Sequence, residues 1–191
     1  MLANLLQDIE KNKFLLVLLE EDNYPKTMDE IIKSVEKTKT MICYICLSKP
    51  YTDVVDELRK NGIDTDNFYF MDVLTSHYKK PEPVENCSFL SSPVDLEELR
   101  AEVIKAIQGK NCSVVIFDTI STLMIYQQSS SIVKFTHSLV SEKTQENIKK
   151  LFLMIKESGI PSDDMSKLTK DLEMFADKKI DLTESQAQTK G

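Results

Sequence analysis

Short, wholly apolar runs alternate along this chain with longer segments that repeat an apolar residue every three or four positions. A parallel sheet covered by helices on both faces buries the two patterns together. The runs Phe14–Leu19, Met41–Leu47, Phe68–Asp72, Val114–Asp118 and Lys150–Ile155 have strand length, and Ser88–Leu90 and Lys179–Leu182 are weaker versions of the same signal. Between them, Val54, Val55 and Leu58 mark a helix over Thr52–Asn61 that stops at Gly62, a residue suited to the left-handed conformation that ends helices. Leu96, Leu99, Val103 and Ile107 mark another, opened by Ser92 as cap with Pro93 in the first turn and closed by Gly109. Ile132, Phe135, Leu139 and Val140 form a third set, and Met165, Leu168, Leu172 and Phe175 a fourth. Ser76–Asn86, with Pro81 and Pro83, reads as an extended surface loop.

The fold class expected is therefore α/β, a three-layer sandwich with a mainly parallel sheet. With 191 residues and no linker-like stretch, the chain reads as one domain over 1–184 followed by a polar tail, 185–191. Its 24 Lys and Arg against 31 Asp and Glu give a net charge of −7. That balance, with no dense basic stretch, argues against nucleic acid or an anionic membrane surface as partner. Phe14–Leu19 is far below the roughly 20 residues needed to cross a bilayer, and the acidic leader before it, with Asp8 and Glu10, lacks a signal-peptide pattern. A cytoplasmic protein is expected.

Four cysteines are too few for a disulfide scaffold. Cys43 and Cys46 form a C-x-x-C, but inside a strand residues three apart point to opposite faces, so the two thiols cannot chelate one ion. No metal site is expected, and His77 and His137 read as surface residues.

In an open parallel sheet, ligands bind beyond the carboxyl ends of the strands. After the first strand comes Glu20-Glu21-Asp22-Asn23-Tyr24-Pro25-Lys26-Thr27. This is nearly the frame of a phosphate-binding Walker A loop, G-x-x-x-x-G-K-[ST], with Lys26 and Thr27 matching its last two positions. Both glycines are replaced, by Glu20 and Pro25, and the first 61 residues contain no glycine at all. Pro25 has no N–H to offer an anion, and bulkier residues resist the backbone angles of an inward-facing amide cradle. Glu20, Glu21 and Asp22 also set carboxylates where phosphate charge would lie. Each like-charge contact at about 4 Å costs about 1 kcal/mol in water and about 4 kcal/mol at an effective dielectric of about 20.

Several stretches together resemble KaiC/RecA-like ATPases: Met41–Leu47 with the helix that follows, Asn67–Leu74, Ser113–Leu123 and Phe175–Leu182. The ordered set runs from about residue 10 to 182. The resemblance implies Lys26 as the phosphate lysine, Thr27 as the magnesium hydroxyl and Asp118 as the Walker B acid, all as vestigial nucleotide and magnesium positions. It also implies a catalytic carboxylate after the second strand, where this chain has Ser48-Lys49-Pro50. The expectation is a catalytically inactive member of that fold with no bound cofactor and no catalytic residue. It would serve as a regulatory or protein-interaction module, in a role such as signal transduction. Active relatives assemble into rings with nucleotide between subunits; without that ligand a ring is not expected, and a homo-oligomer stays open. Two alternatives remain. One is a response-regulator receiver, with Glu20–Asp22 holding magnesium and Asp72 as phosphoacceptor. The other is a residual ATPase using Lys26, Thr27 and Asp118.

Overall fold

The computed structural model describes residues 4–92, 95–142, 147–155 and 161–183. Seven strands are present among them: β1 (Phe14–Leu19), β2 (Met41–Cys46), β3 (Phe68–Asp72), β4 (Cys87–Phe89), β5 (Cys112–Asp118), β6 (Lys149–Ile155) and β7 (Lys178–Asp181). They form one sheet in the order β4-β3-β2-β5-β6-β1-β7, and every pairing is parallel. The expected α/β class with a parallel sheet is the one observed. β1 and β3 run as the apolar runs predict, and the other strands begin or end one or two residues away.

Parallel strands need covering on both faces, and the helices divide accordingly. The helices α1 (Leu5–Lys11), α2 (Tyr24–Glu36) and α3 (Tyr51–Lys60) pack on one face, burying Ile31, Ile32, Val35 and Leu58 against Leu15, Val17 and Ile116. The opposite face carries α5 (Leu96–Gly109), α6 (Ser129–Val140) and α7 (Ser162–Glu173), which bury Val103, Leu139 and Leu168 against Leu16, Ile45 and Phe117. Side chains alternate between these two layers along each strand. In β2, Cys43 accordingly joins the second layer and Cys46 the first, so the C-x-x-C pair is split across the sheet; all four cysteines are buried free thiols. Each fully buried aliphatic side chain in these layers contributes about 1.5–3 kcal/mol.

Local details correct some expectations. The cap of α5 is Asp95, whose carboxylate accepts the Glu98 N–H at 2.8 Å, and not Ser92. Asp95 can reach the third amide of the helix, the contact that defines a side-chain cap; Pro93 lies outside the described residues. Gly109 ends α5 in a helical conformation, and the left-handed residue is Asn111, with φ +56°. Gly62, by contrast, does take φ +75° after α3 as its sequence position predicts. Ser76–Asn86 is not wholly extended, because a short helix α4 (Thr75–Tyr78) opens it. The tail 185–191 lies outside the described residues.

Candidate functional site

The carboxyl ends of β1, β2 and β5 converge on Asp118. The chain leaves β1 through a turn at Glu20–Asn23 and enters α2 at Tyr24, with Pro25 in the first turn of the helix. Backbone groups in this turn bond each other. The Tyr24 N–H donates to the Glu21 carbonyl at 3.2 Å and the Thr27 N–H to the Asn23 carbonyl at 3.0 Å. The Asn23 side-chain amide donates to Glu20 Oε2 at 3.3 Å. Lys26 is exposed and Thr27 half-buried on the first turn of α2, and neither lines the hollow beside Asp118.

Tyr24 does. Its ring is buried and its hydroxyl donates to Asp118 Oδ1, while the Tyr44 hydroxyl, arriving from β2, donates to Oδ2. The register explains the second contact: Cys46 lies opposite Asp118 and Tyr44 opposite Ile116, so Tyr44 and Asp118 share one face of adjacent strands. The Asp118 carbonyl accepts the N–H groups of Leu47 and Ser48 at 3.0 and 3.1 Å. The Asp118–Thr119 peptide is cis. Asp118 is thus tied to the β2 end by both backbone and side chain.

Burial pushes the Asp118 carboxyl above its ordinary range, and the two phenol donors and the Lys49 ammonium pull it partly back. Burial, followed by the nearby Asp118 charge, raises both Tyr24 and Tyr44 and keeps them protonated as donors. Lys49 stands in the segment after β2, over the Tyr24 ring at 5.7 Å, and pairs with Glu57 of α3 at 2.5 Å. The space left among Tyr24, Pro25, Met28, Tyr44, Lys49 and Asp118 is about 20 Å³, room for about one water molecule. Among the described residues no group of three or more His, Cys, Asp or Glu is placed to hold a metal ion.

The structure does not bring together the residues that the sequence proposes. Asp118 sits at the centre, and Lys26 and Thr27 turn elsewhere. The side chains that meet Asp118 are Tyr24 and Tyr44, neither of which is among the sequence-predicted site residues. A tyrosine inside the otherwise apolar run Met41–Leu47 was the available signal, because a buried phenol needs a hydrogen-bond partner.

Asp72 is a separate centre. It is fully buried, and its carboxylate accepts four bonds: from the N–H groups of Tyr51, Leu74 and Thr75 at 2.7–2.8 Å and from the Thr75 hydroxyl at 2.6 Å. That set fills the acceptor sites of a carboxylate. In strand order, β2, β5 and β6 stand between β3 and β1. At about 4.8 Å per strand, the ends of β3 and β1 are therefore roughly 19 Å apart. Glu20–Asp22 and Asp72 do not share a metal site, and the receiver arrangement is set aside.

No protein-family model matches this chain, and no curated protein matches it. Solved structures do match in fold. A KaiC-like protein from the hyperthermophilic archaeon Pyrococcus horikoshii OT3 superposes with a TM-score of 0.63 at 12% identity, over 88% of this chain and 71% of that one. An uncharacterized protein from Pyrococcus horikoshii, solved in complex with an unknown peptide, superposes with a TM-score of 0.65 at 14% identity, over 90% and 78%. The chain has the α/β fold of KaiC/RecA-like proteins.

Proposed function

We propose that this chain is a KaiC/RecA-like domain that has given up nucleotide turnover and acts through its surface, as a regulatory or protein-interaction module of a kind used in signal transduction. The observation that carries the proposal is the occupation of Asp118. A Walker B acid works by holding magnesium beside a phosphate chain, whereas both oxygens of Asp118 accept phenol hydroxyls and the adjoining space is about 20 Å³. The turn after β1 spends amides on its own carbonyls, and Pro25 contributes none.

Surface features support the second half of the reading. Tyr78, 75% exposed, follows the carboxyl end of β3, and Ile125, 65% exposed, follows that of β5. These side chains are available to a partner at the carboxyl end, as Met174, 80% exposed, is at the amino end. That one fold neighbour was solved with a peptide is in keeping with this use of the fold.

Calorimetric titration with magnesium-ATP and a phosphate-release assay test the proposal. No heat of binding at micromolar nucleotide and no turnover above buffer are expected. Micromolar affinity that Lys26→Ala abolishes would overturn it.

A further inference from the structure

The sequence spaces its lysines too widely to form a basic stretch, yet the topology gathers them. Five strands that are consecutive in the sheet, β2-β5-β6-β1-β7, are each entered through a lysine: Lys39, Lys110, Lys149, Lys13 and Lys178 in that spatial order. All lie at the amino end of the sheet, opposite the Asp118 site, because parallel strands start at the same end. Lys13, Lys39, Lys110 and Lys178 are exposed and Lys149 is half-buried. Four strand intervals of about 4.8 Å give the row a length of roughly 19 Å.

Local pairing does not cancel the row. Lys178 is neutralised by Asp8 at 2.6 Å. Lys149 donates to the Glu10 backbone carbonyl at 2.7 Å, so its charge stays. Lys110 lies over the Tyr69 ring at 5.2 Å, which also leaves the charge. Asp177 accepts the N–H groups of Lys13 and Phe14 at 2.8 and 2.9 Å and offsets part of the field there, as does Glu142, which pairs with Arg100 and acts on Lys150 beside Lys13.

We propose that the amino edge of the sheet, from Lys39 across Lys110 and Lys149 to Lys13, is a docking strip for an extended acidic segment of a partner protein. The three strand intervals from Lys39 to Lys13, about 14 Å, suit about four extended residues at roughly 3.3 Å each. The occupant follows from charge complementarity between these ammonium groups and the carboxylates of a protein segment; nucleic acid, which the net charge of −7 repels as well, is the competing outcome of the test. This inference concerns the end of the molecule away from Asp118 and stands whether or not nucleotide binds.

Fluorescence polarisation of a dye-labelled decaglutamate peptide against the full chain tests it. Saturable binding that weakens as salt rises is expected. The triple variant Lys13→Glu, Lys39→Glu, Lys110→Glu should weaken it at least about tenfold, since each reversal removes one exposed attraction and adds one repulsion. Lys79→Glu with Lys80→Glu, at the other end of the sheet, should leave it unchanged. Circular dichroism establishes that both variants fold, and a misfolded triple variant is replaced by the three single reversals. No saturable binding, equal loss in both variants, or tighter binding of a single-stranded DNA decamer than of the peptide would overturn the proposal.

Discussion

Removing one phenol oxygen from the Asp118 centre tests the geometry directly. Tyr44→Phe keeps the ring and its contact with Phe70, whose centroid lies 5.8 Å away, and deletes only the donor to Asp118 Oδ2. A hydrogen bond to a charged group contributes about 1.5–3 kcal/mol. Asp118 is 2% exposed, so water does not readily replace the lost donor and a loss of about 2 kcal/mol is expected. For a domain of this size that lowers Tm by about 4–8 °C. Tyr24→Phe should cost a similar amount. The two should be coupled in a double-mutant cycle closed with the Tyr24→Phe/Tyr44→Phe variant, because both phenols share one carboxylate. The pH dependence has a definite sign. Burial raises the folded carboxyl above its unfolded value of 3.8, so the folded state holds the extra proton and stability falls as pH rises from that value through the folded pKa. Loss of a donor raises the folded pKa further. The deficit of Tyr44→Phe against the parent should therefore be smallest near pH 4 and grow as the carboxylate ionises. Urea melts of the four proteins at several pH values measure it. A deficit below about 0.5 kcal/mol at neutral pH, with no coupling in the cycle, would refute the reasoning.

Other outcomes follow from the same structure. Asp72→Ala strips the acceptor from three backbone N–H groups and should cost about 3 kcal/mol or more, read by chemical denaturation. Treatment of the parent with beryllofluoride should leave its spectra and melting unchanged. Lys150 is 4% exposed, on a central strand; burial, helped by Lys13, lowers its amine from 10.5 to about 8. The folded chain therefore holds fewer protons than the unfolded one between those values, and its stability gains with pH across that window. Lys150→Met should be the more stable protein at pH 7, and its advantage should shrink between about pH 8 and 10.5 in thermal melts.

The elements were legible where nearly every position is buried. Phe14–Leu19, buried throughout, and Phe68–Asp72, buried at all but Tyr69, are strands to the residue, because a short run of apolar and aromatic residues is satisfied by burial between two helical layers. Boundaries slipped where polar residues continue a strand, as at Lys149, or where two caps compete, as at Ser92 and Asp95. The site was half legible. Asp118 stands out as an acid closing an apolar strand, and the missing glycines are plain. Its partners are not, since Tyr24 and Tyr44 lie 94 and 74 residues away in sequence and meet it only through strand order. The lysine edge was hidden for the same reason: lysines at or just before the starts of five strands become a row only when the strands align.

The most direct test of the central claim is a crystal structure of the protein grown with magnesium and a millimolar non-hydrolysable ATP analogue. Tyr24 and Tyr44 should both remain hydrogen-bonded to Asp118, with no ligand density along Glu20–Thr27. A triphosphate lying against Lys26 and Thr27, with Tyr24 swung away and magnesium beside Asp118, would contradict the account.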